Sequence, residues 1–211
     1  MIYTLLKYTI TPLAKVLFRV KIIGKENLPN SGYIMASNHN DNSDPVFLSI
    51  LTKKQIYFLA WHQLLFPPNK IRFILKHIKT LILIEKGKGK SQPAIDQAVK
   101  IIKQGNIFAI FPEGTTQGKD KLLRAHRGVA RISLKAKVPV IPIAIIGTAH
   151  MYSKGSEILP KRIPRVTVNI GSPLYFKKYY GKHNDRKITK QVADKVMKEI
   201  RLLYYQYHYF L

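Results

Sequence analysis

Cysteine is absent from this sequence of 211 residues. Its absence excludes disulfide bonds, a thiolate nucleophile and zinc sites built from cysteine, and it fits a reducing compartment. The chain is long enough to bury a hydrophobic core without such covalent or metal crosslinks. Its chemistry must therefore be carried by other side chains.

Acidic residues are scarce as well, with 11 Asp and Glu against 36 Lys and Arg, which gives a net charge of +25. This imbalance implies an anionic partner, whether nucleic acid, acidic lipid, a phosphorylated substrate or an acidic carrier protein. The basic residues are spread among apolar segments instead of forming one block, which favours lipid. Because no nucleic-acid-binding motif is recognisable, a basic nucleic-acid-binding protein is the less favoured alternative.

Long apolar runs are also missing, because no stretch approaches the roughly 20 residues that span a bilayer as a helix. Residues 1–19 mix apolar side chains with Lys7, Lys15 and Arg19 and lack the features of a secretory signal. They predict an amphipathic helix, either in a membrane interface or covering the domain. Residues 186–211 predict a C-terminal helix with an aromatic tail, which suits a membrane interface and a protein core alike.

Between these ends, apolar segments typical of buried strands alternate with helical patterns. The predicted strands are 33–37, 56–60, 81–84, 107–111, 140–145 and 166–170. The predicted helices begin at residue 46, cover 91–105 and cover 128–135. This alternation predicts one α/β domain, residues 20–185, with a mostly parallel, helix-flanked central sheet. Ligands bind at the carboxyl ends of such strands, where the loops 38–44, 86–90 and 112–121 emerge.

The first of these loops contains His39 and Asp44. On one continuous helix the two side chains would point about 140° apart. If His39 lies in the loop after the strand and Asp44 caps the next helix, with Pro45 at its first position, the carboxylate can contact the imidazole. Asp44 would then fix the tautomer that leaves the other ring nitrogen free to remove a proton. A helix cap beside an ordinary histidine explains the same residues, so the pattern leaves both interpretations open.

The third loop follows a strongly apolar strand and combines Glu113, Gly114 and Thr115 with basic residues further on. Gly114 lets the backbone approach a ligand, Thr115 offers a hydroxyl, and the positive charge suits a phosphate. Glu113 would repel a phosphate, so we expect it to bind a substrate hydroxyl or to hold a lysine or arginine. A glycine turn with solvated charges is the structural alternative.

Taken together, two segments carry a resemblance to a known family: Asn38-His39-x-x-x-x-Asp44 and, about 70 residues later, Phe111-Pro112-Glu113-Gly114-Thr115. Their order and separation closely resemble the paired motifs of the glycerolipid acyltransferase family that includes 1-acylglycerol-3-phosphate acyltransferases. The segment 138–143 resembles a further block of that family. The resemblance covers roughly residues 20–175.

The resemblance implies a function in phospholipid biosynthesis. It implies that His39 is the general base on the acceptor hydroxyl and that Asp44 is its partner. The acyl donor would be acyl-coenzyme A or acyl-carrier protein, the acceptor would be lysophosphatidic acid, and no metal or cofactor is expected. The residues that would bind substrate are Asn38, Lys86, Glu113, Gly114, Thr115 and Arg127. We expect a peripheral or monotopic protein on the cytoplasmic face of the cell membrane, bound to anionic lipids.

Two positions depart from the family pattern. Thr116 stands where the family usually has an arginine, and Lys86 where another arginine usually ends a block. Lysine cannot form the planar bidentate contact of arginine with a phosphate, and threonine supplies no charge. The alternative is therefore an enzyme of the same fold and mechanism that acts on a different lysolipid or aminolipid acceptor.

Overall fold

The structure, a computed structural model, describes residues 2–30, 32–61, 80–84, 91–116, 121–149 and 163–208. Its helices are α1 (Ile2–Leu17), α2 (Asp44–Ile50), α3 (Gln92–Lys103), α4 (Gly128–Ala136) and α5 (Arg186–His208). Its strands are β1 (Lys21–Ile23), β2 (Ile34–Ser37), β3 (Ile56–Trp61), β4 (Leu81–Ile84), β5 (Ile107–Ile110), β6 (Val140–Ile146) and β7 (Thr167–Ile170).

The strands form one seven-stranded sheet in the order β1-β7-β6-β2-β5-β3-β4. Strands β6, β2, β5, β3 and β4 run parallel, and β7 pairs antiparallel with β6 and parallel with β1. Ile34 of β2 lies beside Phe108 of β5 on one side and beside Val140 of β6 on the other. Strand β2 is thus central, and the loops that follow β2 and β5 leave neighbouring strands at the same edge of the sheet.

Both faces of the sheet are covered, as the continuous apolar strands require. One core cluster packs α3, α4 and α5 against the sheet, and the other packs α2 and the segment after α1. Helix α3 shows why these segments form helices: Pro93 lies in its first turn, and its buried residues Ile95, Ala98 and Ile102 recur at helical spacing. Gly105, with φ of 82°, then ends the helix.

The predicted single α/β domain with a mostly parallel sheet is confirmed, and two features were not predicted. The short edge strand β1 was missed, and so was the reversed direction of β7. Helix α5, which was predicted outside the 20–185 domain, is part of its core, because Val192, Val196 and Ile200 are fully buried there. The tyrosines near the end of α5 differ in burial: Tyr204 is fully buried, whereas Tyr205 is 41% exposed.

Helix α1 packs against α2 and turns an apolar stripe to solvent. Ala14 is buried, whereas Leu13 is 66% exposed and Val16 is 78% exposed. Ile10 and Leu17 extend the exposed stripe at helical spacing. Among the described helices, none is long and apolar enough to cross a bilayer.

Candidate active site

Asn38 fastens the loop after β2 to the neighbouring strand β6. Its Nδ2 donates to the carbonyl oxygen of Ile145 at 2.8 Å, and its Oδ1 accepts from Ile145 N at 2.8 Å. The side chain is completely buried. Because both amide groups are paired with backbone, the structure gives Asn38 a role in anchoring the loop in place of the predicted substrate contact.

His39 and Asp44 lie in contact directly after this anchor. Nδ1 of His39 is 3.0 Å from Oδ2 of Asp44, and the carboxylate is fully buried whereas the imidazole is 17% exposed. Asp44 is the first residue of α2 and Ser43 is the cap, so the predicted cap position was wrong by one residue. The chain nevertheless turns back as expected, because Asp44 N donates to Asp41 O at 3.1 Å.

The Asp44 carboxylate is held by the loop as well as by the ring. Asp41 N donates to Oδ2 of Asp44 at 2.9 Å, and Asp41 is itself fixed by hydrogen bonds from the backbone and hydroxyl of Ser43. Burial raises the pKa of Asp41, and the charge of Asp44 raises it further. Oδ1 of Asp44 has no hydrogen-bond partner in the described part of the chain. The Asp44 carboxylate is thus held through Oδ2, which contacts both the His39 ring and the Asp41 backbone.

Phe111 stacks against one face of the His39 imidazole. The two ring centroids are 4.0 Å apart and the planes differ by 14°. With Nδ1 donating to Asp44, Nε2 of His39 is the ring nitrogen that can accept a proton. No described residue bonds to Nε2, and the ring is partly exposed, so this nitrogen is available to a substrate.

Glu113 joins the two loops instead of presenting its carboxylate to solvent. Its Oε1 accepts from His39 N at 3.1 Å and its Oε2 from Leu123 N at 2.6 Å, and the residue is 2% exposed. Burial raises its pKa above the ordinary value, an effect that the two N–H donors partly offset. The expected partners of Glu113 were a substrate hydroxyl or a basic side chain. The structure shows backbone amides in their place, so Glu113 positions the His39 segment.

Gly114 adopts the left-handed conformation that its position requires. Its φ is 69°, its N–H donates to Phe111 O at 3.0 Å, and a Cβ there would lie 2.9 Å from Cδ2 of His126. The turn thus brings the backbone against His126 and leaves Thr115 and Thr116 exposed. Of the predicted binding residues in this loop, Thr115 is the exposed one, and its Oγ1 donates to Thr116 O at 3.4 Å.

Of the basic residues near this loop, one makes a contact within the protein and two are exposed. Arg127 is half-buried, and its Nη1 contacts Oγ1 of Thr189 on α5 at 3.4 Å, so the structure gives it an interhelical contact. Lys121 and Arg124 are exposed. Lys86, predicted to contact the substrate, lies outside the described residues.

Three contacts of the site were not anticipated from the sequence. Phe111 was treated as the end of a strand, yet it stacks on His39. Asn40 Nδ2 donates to the hydroxyl of Tyr204, and Arg201 Nη2 donates to Leu123 O at 2.8 Å. The last two contacts join residues more than 70 positions apart, and no local pattern in the sequence indicates them.

The geometry supports one chemical step best. A carboxylate that orients an imidazole, with the second ring nitrogen open, forms a general base able to deprotonate a hydroxyl. A substrate hydroxyl placed at hydrogen-bond distance from Nε2 would be activated in this way as a nucleophile.

Comparisons with known proteins agree with this chemistry. A family model described as Acyltransferase matches residues 19–146. The 1-acyl-sn-glycerol-3-phosphate acyltransferase of Bacillus subtilis (strain 168) is 33% identical over 158 residues, which cover 74% of this chain and 74% of that protein. The probable 1-acyl-sn-glycerol-3-phosphate acyltransferase of Mycoplasma pneumoniae is 27% identical over 200 residues, covering 90% of this chain and 72% of that protein.

A solved structure shares the fold. The crystal structure of the 1-acyl-sn-glycerophosphate (LPA) acyltransferase PlsC from Thermotoga maritima matches with a TM-score of 0.66 and 24% sequence identity. The match covers 92% of this chain and 79% of that chain.

Proposed function

Because the chain belongs to the Acyltransferase family, we propose that it transfers a fatty acyl group from a thioester to the free hydroxyl of 1-acylglycerol-3-phosphate. The donor would be acyl-coenzyme A or acyl-carrier protein, and the product would be a phospholipid precursor. The relatives named above support this acceptor. The observation that carries the proposal is the 3.0 Å contact between His39 and Asp44 at the end of β2.

The proposed reaction uses His39 as both base and acid. Nε2 removes the proton from the acceptor hydroxyl while Asp44 stabilises the imidazolium that forms. The acceptor oxygen then attacks the thioester carbonyl and gives a tetrahedral oxyanion. When this intermediate collapses, the carbon–sulfur bond breaks and the imidazolium returns its proton to the departing thiolate. No covalent acyl-enzyme is formed, and no metal is needed.

In this proposal, the loop after β5 binds the acceptor headgroup. The exposed cations Lys121 and Arg124 follow the Gly114 turn, where they suit a phosphate. Thr116 is exposed and uncharged in the same loop, which favours the second candidate, a different lysolipid or an aminolipid acceptor. Both candidates share the base and the thioester donor, so they differ only in the group that this loop recognises.

We also propose that the protein binds the cytoplasmic face of the cell membrane through α1. The stripe of Ile10, Leu13, Val16 and Leu17 is exposed to solvent, which is unfavourable in water and favourable among acyl chains. The net charge of +25 adds attraction to anionic lipids. A helix in the interface would place the site beside its lipid substrate.

An acceptor and donor panel tests the proposed activity. Purified protein in detergent would be given a long-chain acyl thioester of coenzyme A or of acyl-carrier protein, with lysophosphatidic acid, larger lysophospholipids or a lyso-aminolipid. We expect the diacyl product from lysophosphatidic acid and release of one free thiol per product. Transfer to another acceptor alone would establish the second candidate, and no transfer to any acceptor would refute the proposed activity.

Vesicle sedimentation tests the membrane proposal. The variant Leu13→Gln removes an apolar side chain from the exposed stripe and should weaken binding to anionic vesicles about tenfold. Leu202→Gln is the matched control, because Leu202 is 57% exposed on α5. Equal binding by both variants would argue against α1 as the membrane contact.

A further inference from the structure

The last turns of α5 touch both loops of the candidate active site. Arg201 and Tyr204 are three residues apart and therefore lie on one face of the helix. This face is the buried one, since Ile200 and Tyr204 are fully buried. The helix itself is fixed nearby, because Asn169 of β7 donates to Leu203 O at 3.1 Å.

Tyr204 reaches the loop after β2 through Asn40, the neighbour of His39. Nδ2 of Asn40 donates to the Tyr204 hydroxyl at 3.2 Å, and both side chains are at most 1% exposed. Oδ1 of Asn40 has no hydrogen-bond partner among the described residues. The Tyr204 hydroxyl is thus the described partner of a buried amide, and its loss would leave that amide unpaired.

Arg201 reaches the same histidine from the other loop. Its Nη2 donates to Leu123 O at 2.8 Å, and Leu123 N donates to Oε2 of Glu113 at 2.6 Å. The other oxygen of Glu113 accepts from His39 N at 3.1 Å. The positive charge of Arg201 also stabilises the buried carboxylate of Glu113. A chain of hydrogen bonds therefore runs from α5 to the backbone of His39.

We propose that Arg201 and Tyr204 are positioning residues that hold His39 in place from α5, through Glu113 and Asn40 respectively. The inference rests on the proposed function of His39 as the base. The two routes meet at adjacent residues of one loop, the His39 backbone and the Asn40 side chain, so α5 constrains the backbone that carries the imidazole. Small displacements of a base lower the rate strongly, because the ring must meet the substrate hydroxyl at hydrogen-bond distance.

Paired variants test this inference. Tyr204→Phe removes only the hydroxyl, and Arg201→Met removes the guanidinium while it keeps much of the side-chain length. We expect each to lower kcat for acyl transfer about tenfold, with KM for both substrates changed less than twofold. Arg201→Lys keeps a donor and should recover part of the loss.

Two controls on the same helix separate positioning from packing. Met197→Ala opens a cavity at a residue that is 1% exposed, and Lys198→Gln changes an exposed side chain. We expect Met197→Ala to lower Tm without the fall in kcat, and Lys198→Gln to change neither. Unchanged kcat in both test variants, or an equal fall in Met197→Ala, would overturn the inference.

Hydrogen exchange measured by mass spectrometry provides a second test that does not depend on catalytic activity. Peptides covering residues 36–44 should exchange faster in Tyr204→Phe, and peptides covering residues 121–127 should exchange faster in Arg201→Met. Neither should change in Lys198→Gln. If the unmodified protein transfers no acyl group but these exchange changes occur, the proposed function fails while the positioning contacts stand. Unchanged exchange in both variants would refute the positioning itself.

Discussion

The loop after β2 and the loop after β5 leave adjacent strands of one sheet, yet their side chains are held very differently. In the first loop, Asn38, His39 and Asp44 are all bonded within the protein and at most partly exposed. In the second, Glu113 is equally fixed, but Thr115 and Thr116 are exposed. Under the proposed function, the chemical step would depend on the rigid group, and the acceptor would be recognised by the exposed residues.

This division predicts which kinetic parameter, kcat or the acceptor KM, each loop controls. Changes at the rigid loop should lower kcat, because the orientation of the base matters in the transition state. Changes at the open loop should raise the acceptor KM, because they remove binding that is shared by ground state and transition state. The variants below test the division in order of expected effect.

His39→Ala should have the largest effect. Loss of a general base typically costs about 10²- to 10⁴-fold, so we expect kcat for acyl transfer to fall about 10³-fold with KM little changed. The measurement is steady-state product formation, with circular dichroism and Tm to confirm that the variant is folded. Full activity in this folded variant would contradict the role of His39.

Asp44→Asn should have the next largest effect. The amide nitrogen can donate to Nδ1 and so favour the tautomer in which Nε2 carries the proton and cannot accept another. We expect kcat to fall about 10²-fold, at the low end of the range for general acid–base catalysis. The same steady-state assay measures it. A rise in KM with kcat unchanged would mean that Asp44 serves binding instead.

Gly114→Ala should have a moderate effect on the open loop. An L side chain in the left-handed region costs about 1–2 kcal/mol, and here the new Cβ would also displace His126. Gly181→Ala is the matched control, with φ of 86° and nothing within 4 Å of the new Cβ. Urea unfolding should show a similar destabilisation in both variants. The acceptor KM should rise in Gly114→Ala alone, and an equal rise in Gly181→Ala would break the comparison.

The smallest expected change is in the pH dependence of stability, compared between the unmodified protein and Glu113→Gln. Burial raises the folded-state pKa of Glu113 above its ordinary value of 4.5, so over a range of pH the folded protein retains a proton that the unfolded chain has lost. The contribution of Glu113 to stability is therefore present below pH 4.5 and decreases as the pH rises through the folded-state pKa. Unfolding free energies measured across this window should fall with pH more steeply in the unmodified protein than in Glu113→Gln. Parallel curves would contradict a raised pKa.

The sequence was informative where the determinants are local. The apolar strand before Asn38 and the proline after Asp44 gave a loop that returns the carboxylate to the imidazole as one of two interpretations, and the structure shows this contact. The alternation of strands and helices likewise predicted the parallel sheet. These features depend on residues within a few positions of one another.

Non-local contacts could not be predicted in the same way. Glu113 accepts hydrogen bonds from the backbone amides of His39 and Leu123. Because every residue except proline has a backbone N–H, the sequence does not indicate which residues provide these donors. The direction of β7 is seen in its antiparallel pairing with β6 and its parallel pairing with β1, which hydrophobic patterning does not encode. Tyr204 is one of several tyrosines near the end of the chain, and only the packing of α5 decides which of them is buried.

A double-variant cycle at the rigid loop tests the central claim most directly, because the account requires His39 and Asp44 to act as one unit. The measurement is kcat for acyl transfer from the thioester by His39→Ala, by Asp44→Asn and by the variant carrying both changes. We predict that Asp44→Asn lowers kcat in the unmodified protein and causes no further fall when His39 is already alanine. An additional fall of about 10²-fold in the double variant would show that Asp44 acts independently of His39 and would contradict the account.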